Sequence, residues 1–567
     1  MTDAPELPRK LMLLIAAVQG IALLFLYDAM ESGTWPSASP LWNFPMWLIA
    51  IAVPVLLLLS LEEGKELRAA RLIGVFAVIL IALGVYTGWQ ATPYDEFPVY
   101  NLTWVFALSL GLGCFKALMY LQQRVAEKPM SYEVLFTYSW RNALTIALSL
   151  VLTFVFWLIL MLWAQLFRAI EVDFFYDLFR EDWFLFPVLS VAHGVGVIIF
   201  RNLTRVIDSI TRLFEGLIKI LLPLAVIVAV VFLGALPVVG LDALWSTGRG
   251  TSLLLWLLAV ILFFTNAVYQ DGRGERPYPV IMHRIVYVAL LTMPLLSILS
   301  FYGLYLRLEE YGWTVIRGWA FITWLVLTLF VVGYSVGIVR KRDDWTTDLA
   351  KVNTGMGLVV LFLMMVVNSP VLDLRKLSLN SQVGRVESGR LELADFDFWY
   401  ARQSLARPGY LFVERKIAEL GDSDPDLVDK MNNPVPSYRA QALQTTENLW
   451  ANMRYRPERF EVPESVREKI DSYGASYPPQ VETVLIRADL DNDGVDEYLH
   501  LLANENYFQN GQLYYTADDQ WKNITISIFP NSGNVSDTLA NADVEIVRQR
   551  FGNVRLGNFL LRPLEEE

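Results

Sequence analysis

The chain of 567 residues is 54% hydrophobic and 13% aromatic, with only 18% charged residues, and its mean hydropathy is +0.39. That composition excludes a multi-domain soluble protein and requires a polytopic membrane protein. The net charge of −12 is confined to one part. From Asp373 onward 21 Lys and Arg accompany 32 Asp and Glu, whereas 25 accompany 26 before it, so a nearly neutral oily segment precedes a soluble acidic one.

A hydrocarbon core of about 30 Å takes roughly 20 residues of helix. Eleven apolar runs of suitable length follow one another: 11–27, 46–61, 72–89, 102–121, 143–166, 184–200, 220–239, 252–269, 285–304, 319–338 and 355–371. Lys and Arg are retained on the cytoplasmic side, which places the amino terminus inside. On that assignment the inside segments hold 19 basic residues, beginning with Arg9 and Lys10, and the outside loops hold five: Arg168, Arg180, Arg249, Arg307 and Arg317. An odd number of spans leaves everything after Val371 outside. In a diderm bacterium the acidic region then faces the periplasm. The first span, "PRKLMLLIAAVQGIALLFLYDA", lacks a convincing cleavage site and reads as a signal anchor.

Ionisable residues inside spans mark ion or proton paths, and here they are scarce. Asp28 falls at an interface, and Lys116 lies near the inner end of the fourth span, where it can snorkel. His193 sits among small residues and suits a hydrogen bond across a helix contact. The single Cys114 lies in an apolar run, which rules out an intrachain disulfide. Gly111 and Gly113, and Gly333 and Gly337, suit close helix approach. Pro45, Pro54, Pro187, Pro223, Pro237 and Pro294 kink or end helices without marking a pocket. In the outer loop "FRAIEVDFFYDLFREDWFLF" the four-residue spacing of Asp173, Asp177 and Glu181 predicts a helix lying in the interface. In "YLRLEEYGWTVIRGWAFITW", Arg307, Glu309, Glu310 and Arg317 gather at the outer end of two spans. Arginines there can hold a phosphate or carboxylate, which makes this a candidate anion or substrate site; an anchoring belt is the plainer alternative.

The order of spans, with "YSWRNALTIALSLVLTFVFWLILMLWAQLF", "YGWTVIRGW" and "SLNSQVGRVESGRLELADFDFWYARQSLARPGY", resembles a bacterial membrane family catalogued as domain of unknown function 4153, or its relative 4173. The likeness covers roughly 131–410. It implies an inner-membrane protein without an assigned reaction, and it brings no catalytic residues.

After the last span the composition turns polar. "SYRAQALQTTENLWANM" and "PESVREKIDSY" have helical spacing. Beyond Tyr477 the segments "VETVLIRA", "EYLHLLA", "QLYYTA", "NITISIF" and "VEIVRQRF" read as strands, with turns at "ENYFQNGQ" and "NSGN". Three regions result: a transmembrane helical domain over 1–371, a periplasmic helical neck over 372–474, and a β-rich periplasmic module over 475–567. The expected fold class is therefore a polytopic α-helical membrane protein of about 11 transmembrane helices with a C-terminal α+β extracytoplasmic domain.

Within "DLDNDGVDE", Asp489, Asp491 and Asp493 occupy alternate positions, Gly494 permits a sharp turn, Val495 offers a carbonyl and Glu497 falls at position nine. Such spacing wraps hard oxygens around calcium. Position twelve is His500, so the bidentate glutamate of a helix-flanked EF-hand is missing. The flanking strands suit an Asp-rich turn between β-strands instead. A structural Ca2+ is expected there, and an ion-free hairpin turn is the alternative. The tail's one histidine, and the lack of any nucleophile–base set, lean away from an enzyme. Three functions remain open: envelope interaction or assembly, with a protein or glycan partner; a transporter or channel for a lipid or neutral solute; and an envelope transferase acting on a lipid-linked substrate. The lipid bilayer is the one certain partner, and nucleic acid is not expected.

Overall fold

The computed structural model describes residues 6–93, 98–241, 244–245, 248–270, 277–421, 423–434, 449–450, 453–456, 459–474, 482–490, 494–503, 508–517, 520–526, 554–556 and 559–561. The chain divides into two compact units, Met1–Met431 and Asn432–Glu567. Segment 372–431 thus goes with the first unit and 432–474 with the second.

The first unit is helical: α1 (Arg9–Glu31), α2 (Pro40–Ser60), α3 (Glu66–Gln90), α4 (Tyr100–Val125), α5 (Tyr132–Arg168), α6 (Phe174–Leu178), α7 (Asp182–Asn202), α8 (Thr204–Val239), α9 (Gly250–Tyr269), α10 (Val280–Leu290), α11 (Met293–Tyr311), α12 (Val315–Lys341) and α13 (Thr346–Val366). Four shorter helices follow: α14 (Leu374–Glu387), α15 (Phe398–Ser404), α16 (Ala406–Leu420) and α17 (Pro425–Asn432). Among the described residues, 11 helices are long and apolar enough to cross a membrane, with α10 and α11 forming one broken span over Val280–Tyr311. The break falls at Leu291 and Thr292, and Pro294 stands in the first turn of α11, where its missing N–H costs nothing. The other five prolines named above lie inside helices.

Large side chains such as Ile281, Ile316, Ile220 and Trp256 are more than 70% exposed, an arrangement stable only against lipid. Among the described residues, the two largest apolar cores lie inside. Met12, Leu58, Ile73, Leu80, Leu118 and Val197 form one; Leu222, Leu258, Leu296, Tyr334 and Trp345 belong to the other. Helices approach most closely at small residues. A Cβ on Gly84 would lie 2.6 Å from the Pro45 Cα, and one on Gly88 would collide with the Pro40 carbonyl; Gly333 similarly packs on Val352. Gly111 differs from the expectation of close approach, since open space surrounds its Cβ direction.

The expected interfacial helix is also shorter than its spacing suggests. α6 is a single five-residue piece with Asp173 at its N-cap, and Glu181 already caps α7. Phe175 and Phe179 turn back onto Trp163 of α5, so aromatic stacking, rather than an unbroken amphipathic face, fixes this loop.

In the second unit, β1 (Arg454–Arg456), β2 (Glu482–Ala488), β3 (Glu497–Ala503), β4 (Phe508–Ala517) and β5 (Gln520–Thr525) form one sheet in that order. β1 runs parallel to β2, and the other pairs are antiparallel. A separate hairpin pairs β6 (Val554–Leu556) with β7 (Phe559–Leu561). Helix α18 (Glu464–Gly474) supplies Val466 and Ile470 to a core with Leu485, Tyr498 and Tyr514. The predicted strand over 544–551, the "NSGN" turn and residues 437–448 of the predicted helix lie outside the described residues.

Candidate functional site

The Asp-rich loop joins β2 to β3. Gly494 takes a φ of +87°, a left-handed conformation that glycine adopts without steric cost. The Asp489 carboxylate accepts from the Gly494 N–H at 3.1 Å, and the Glu497 carboxylate accepts from the Leu490 N–H at 2.7 Å. Glu497 is 4% exposed and Val495 45%. Carboxylate and carbonyl oxygens are hard donors, so the donor set suits a hard cation. Asp491 and Asp493 lie outside the described residues. Among the described residues no group of three or more His, Cys, Asp and Glu converges as a metal site.

His500 sits on β3 opposite Leu485, 1% exposed. Its Nε2 pairs with the Thr483 hydroxyl at 2.9 Å, while Nδ1 has no partner among the described residues. Burial pushes its pKa down to about 4, below the ordinary value of about 6.5. The unfolded chain therefore takes up this proton first as the pH falls. The stabilisation is complete above pH 6.5 or so and is lost between there and about 4, amounting to roughly 3 kcal/mol. Acid titration of unfolding, followed by tryptophan fluorescence, should show this slope in the wild type and not in His500→Gln; identical slopes would refute it.

The second predicted cluster is brought together, but its arginines bind backbone. The Arg307 guanidinium donates to the Gly248 carbonyl. Arg317 donates to the Gly312 carbonyl at 2.9 Å and lies over the Tyr311 ring. The Glu309 carbonyl accepts from Arg385 at 3.3 Å, and Glu310 stands beside the Tyr311 hydroxyl. Gln382 donates to the Tyr311 and Trp313 carbonyls at 2.9 Å. These groups fasten the α11–α12 turn to α14.

A polar knot at the same end joins α3 to α14. Asp373, 6% exposed, accepts from the Tyr86 hydroxyl at 2.7 Å, from the Gln90 amide and from the Arg375 N–H at 2.9 Å, capping α14. The Arg375 guanidinium lies 3.7 Å away. Arg407 of α16 covers the Trp89 ring and donates to the Thr92 hydroxyl at 2.7 Å. Sequence reasoning used Asp373 only as a boundary.

At the opposite end, which carries the amino terminus, a cavity of about 400 Å³ opens among the ends of α2, α4 and α7 and the beginnings of α5 and α8. Glu62, Lys65, Lys128, Tyr138, Arg141 and Arg201 line it. Lys65 pairs with Glu62 at 2.8 Å and Arg141 with Asp208 at 3.0 Å. Arg201, half-buried at the end of α7, donates one hydrogen bond to the Leu58 carbonyl at 2.7 Å. It makes no ion pair among the described residues. The Ser60 hydroxyl on the same wall is buried without a partner among the described residues. Gln122 and Asn142 exchange hydrogen bonds at 3.0 and 2.7 Å. In the spans themselves, Lys116 is half-buried with no hydrogen bond or ion pair among the described residues. The His193 Nδ1 is buried without the interhelical bond expected of it.

Eleven membrane-length helices, followed by a small mixed sheet, define a polytopic helical membrane protein with an α+β carboxyl-terminal region. The chain belongs to the family described as domain of unknown function (DUF4153), whose model matches residues 13–415. That match reaches well amino-terminal of 131, takes in every residue of the cavity and ends before the sheet unit. No curated protein and no solved structure matches the chain.

Proposed function

We propose that the protein sits in a bacterial inner membrane with its amino terminus in the cytoplasm and presents the unit after Met431 in the periplasm, for interaction with an envelope protein or glycan. The supporting observation is the sorting of 19 basic residues to one set of connections and five to the other, combined with an odd number of spans. Calcium braces the β2–β3 loop in this reading, cancelling the repulsion among Asp489, Asp491, Asp493 and Glu497. The role is structural, so the activity lies in what the unit binds. Alkaline phosphatase fused after Glu567 should be active and a fluorescent protein there dark; the reverse pattern would sink the orientation. For calcium, the full chain in detergent should unfold several degrees higher when the ion exceeds its Kd about 100-fold, a linkage of about 2.7 kcal/mol. Asp489→Asn combined with Asp493→Asn should abolish the shift. A wild type indifferent to millimolar calcium would leave the loop an ordinary turn.

A further inference from the structure

The cavity at the amino-terminal end adjoins a second space. An apolar cleft of about 630 Å³ runs along α2 and α4, lined by Phe44, Trp47, Ile51, Phe106, Leu110 and Gly111 among others. The two spaces are lined by neighbouring turns of the same three helices. Leu56, Leu118 and Ile146 line the cleft, while Ser60, Gln122 and Asn142, each four residues away on the same helix, line the cavity. Four residues bring a side chain back to the same face, about 6 Å along the axis. A cleft with apolar walls at membrane depth therefore ends about one helical turn from a polar chamber at the bundle's end.

We propose that these paired spaces hold one anionic phospholipid from the leaflet at this end of the bundle, its phosphate against Arg201 and Lys128 and its acyl chains in the α2–α4 cleft. Charge decides the headgroup. Of the four cations in the chamber, Lys65 and Arg141 already pair with Glu62 and Asp208, whereas Arg201 and Lys128 make no ion pair among the described residues. A guanidinium has five N–H donors in a planar fork that matches phosphate, and among the described residues Arg201 uses one of them, on Leu58. The buried Ser60 hydroxyl supplies a further unspent donor. Charge at a span's end is costly in lipid unless a partner compensates it; a phosphate does so. A zwitterionic headgroup would bring its own cation beside Arg201 and Lys128 and bind less well. The proposal stands apart from the calcium and periplasmic reading, since all its residues belong to the first unit.

Brominated acyl chains quench tryptophan, and Trp47 lines the cleft. The full-length chain in detergent micelles is titrated with dibromostearoyl phosphatidylglycerol or with the matching phosphatidylcholine, and the Trp47 signal is taken by difference from Trp47→Phe. The expected result is a preference of roughly tenfold for the anionic lipid. Arg201→Gln should bring the two lipids to parity, and Lys128→Gln, at an exposed position, should cut the preference by about threefold. Gly111→Phe places its ring where no atom lies within 4 Å of the Cβ, so it should fold and should abolish quenching by both lipids. Equal quenching by both lipids in the wild type overturns the proposal, as does an undiminished preference in Arg201→Gln. If that variant fails to fold, an undiminished preference in Lys128→Gln does so. Millimolar glycerol phosphate that displaces the lipid, and binds equally well to Gly111→Phe, would also overturn it by making a soluble phosphate the occupant.

Discussion

In Asp373→Ala, the membrane unit should lose about 3–5 kcal/mol of stability, the cost typical of removing one partner from a buried ion pair. The carboxylate is held by Tyr86, Gln90 and the Arg375 N–H; its removal takes an acceptor from each, although Gln90 keeps its hydrogen bond to the Tyr86 hydroxyl. The Arg375 side chain, 17% exposed, would be left as a charge with its counter-ion gone. Part of the loss is the N-cap of α14, which by itself accounts for about 1 kcal/mol. Asp373→Asn keeps the cap and an acceptor for Tyr86 but loses the charge, so it should fall between the two. Adding Arg375→Leu to Asp373→Ala should recover most of the loss, because removing both charges is far less damaging than removing one. Thermal unfolding of the four proteins in detergent, read by size-exclusion recovery after heating, gives the comparison. A double variant no more stable than Asp373→Ala would mean that the knot is held by packing and not by charge.

The spans were legible because length and apolarity are local properties. Eight of the eleven runs fall within single helices of the structure; 46–61 passes the end of α2 by one residue, 285–304 crosses the break between α10 and α11, and 355–371 runs five residues past α13, so helix ends were not legible. α5 begins at Tyr132 and α8 at Thr204, well before the apolar runs starting at 143 and 220. Their opening stretches carry charged residues, Glu133 and Arg141 in α5 and Arg205 and Asp208 in α8, and the pairing of Arg141 with Asp208 lets both helices continue past the hydrocarbon. Only the fold reveals that pairing. The break in the ninth span was not legible: Pro294 stands at it, but the other five span prolines lie inside continuous helices.

The sites divide in the same way. The β2–β3 loop could be read from spacing because its candidate ligands are neighbours in the chain. The cavity could not. Lys65, Lys128, Arg141 and Arg201 were visible as charges that orient the protein, yet their convergence joins five segments scattered from residue 59 to residue 207, and no local pattern encodes it. Arg307 and Arg317 show the converse: a charged cluster recognised in sequence whose donors the fold directs to the carbonyls of Gly248 and Gly312. Glycine spacing was equally ambiguous. Gly84 and Gly88 have the same small-xxx-small interval as Gly333 and Gly337, but what matters is the proline backbone they meet.

That backbone sets the second large effect. Gly88→Leu should destabilise the membrane unit by about 3 kcal/mol or more, at or beyond the usual range for overpacking. The obstacle is the Pro40 carbonyl, with the Leu41 Cα 3.0 Å from the added Cβ; neither is a side-chain end that can rotate away. Gly74 is the internal control, on the same helix with nothing within 4 Å of its Cβ position. Gly74→Leu should be neutral or stabilising by up to about 1 kcal/mol through helix propensity. Equal effects at the two glycines would show that propensity, not contact between α2 and α3, governs this region. Gly88 also lies two residues before Gln90, which donates to Asp373, and two after Tyr86, which does the same. Displacing this end of α3 from α2 should therefore weaken the Asp373 knot, and the two substitutions share a partner. Asp373→Ala should accordingly cost less in a Gly88→Leu background than alone, by roughly 0.5–3 kcal/mol of coupling. Strict additivity would mean that the α2–α3 contact and the α3–α14 knot are held independently.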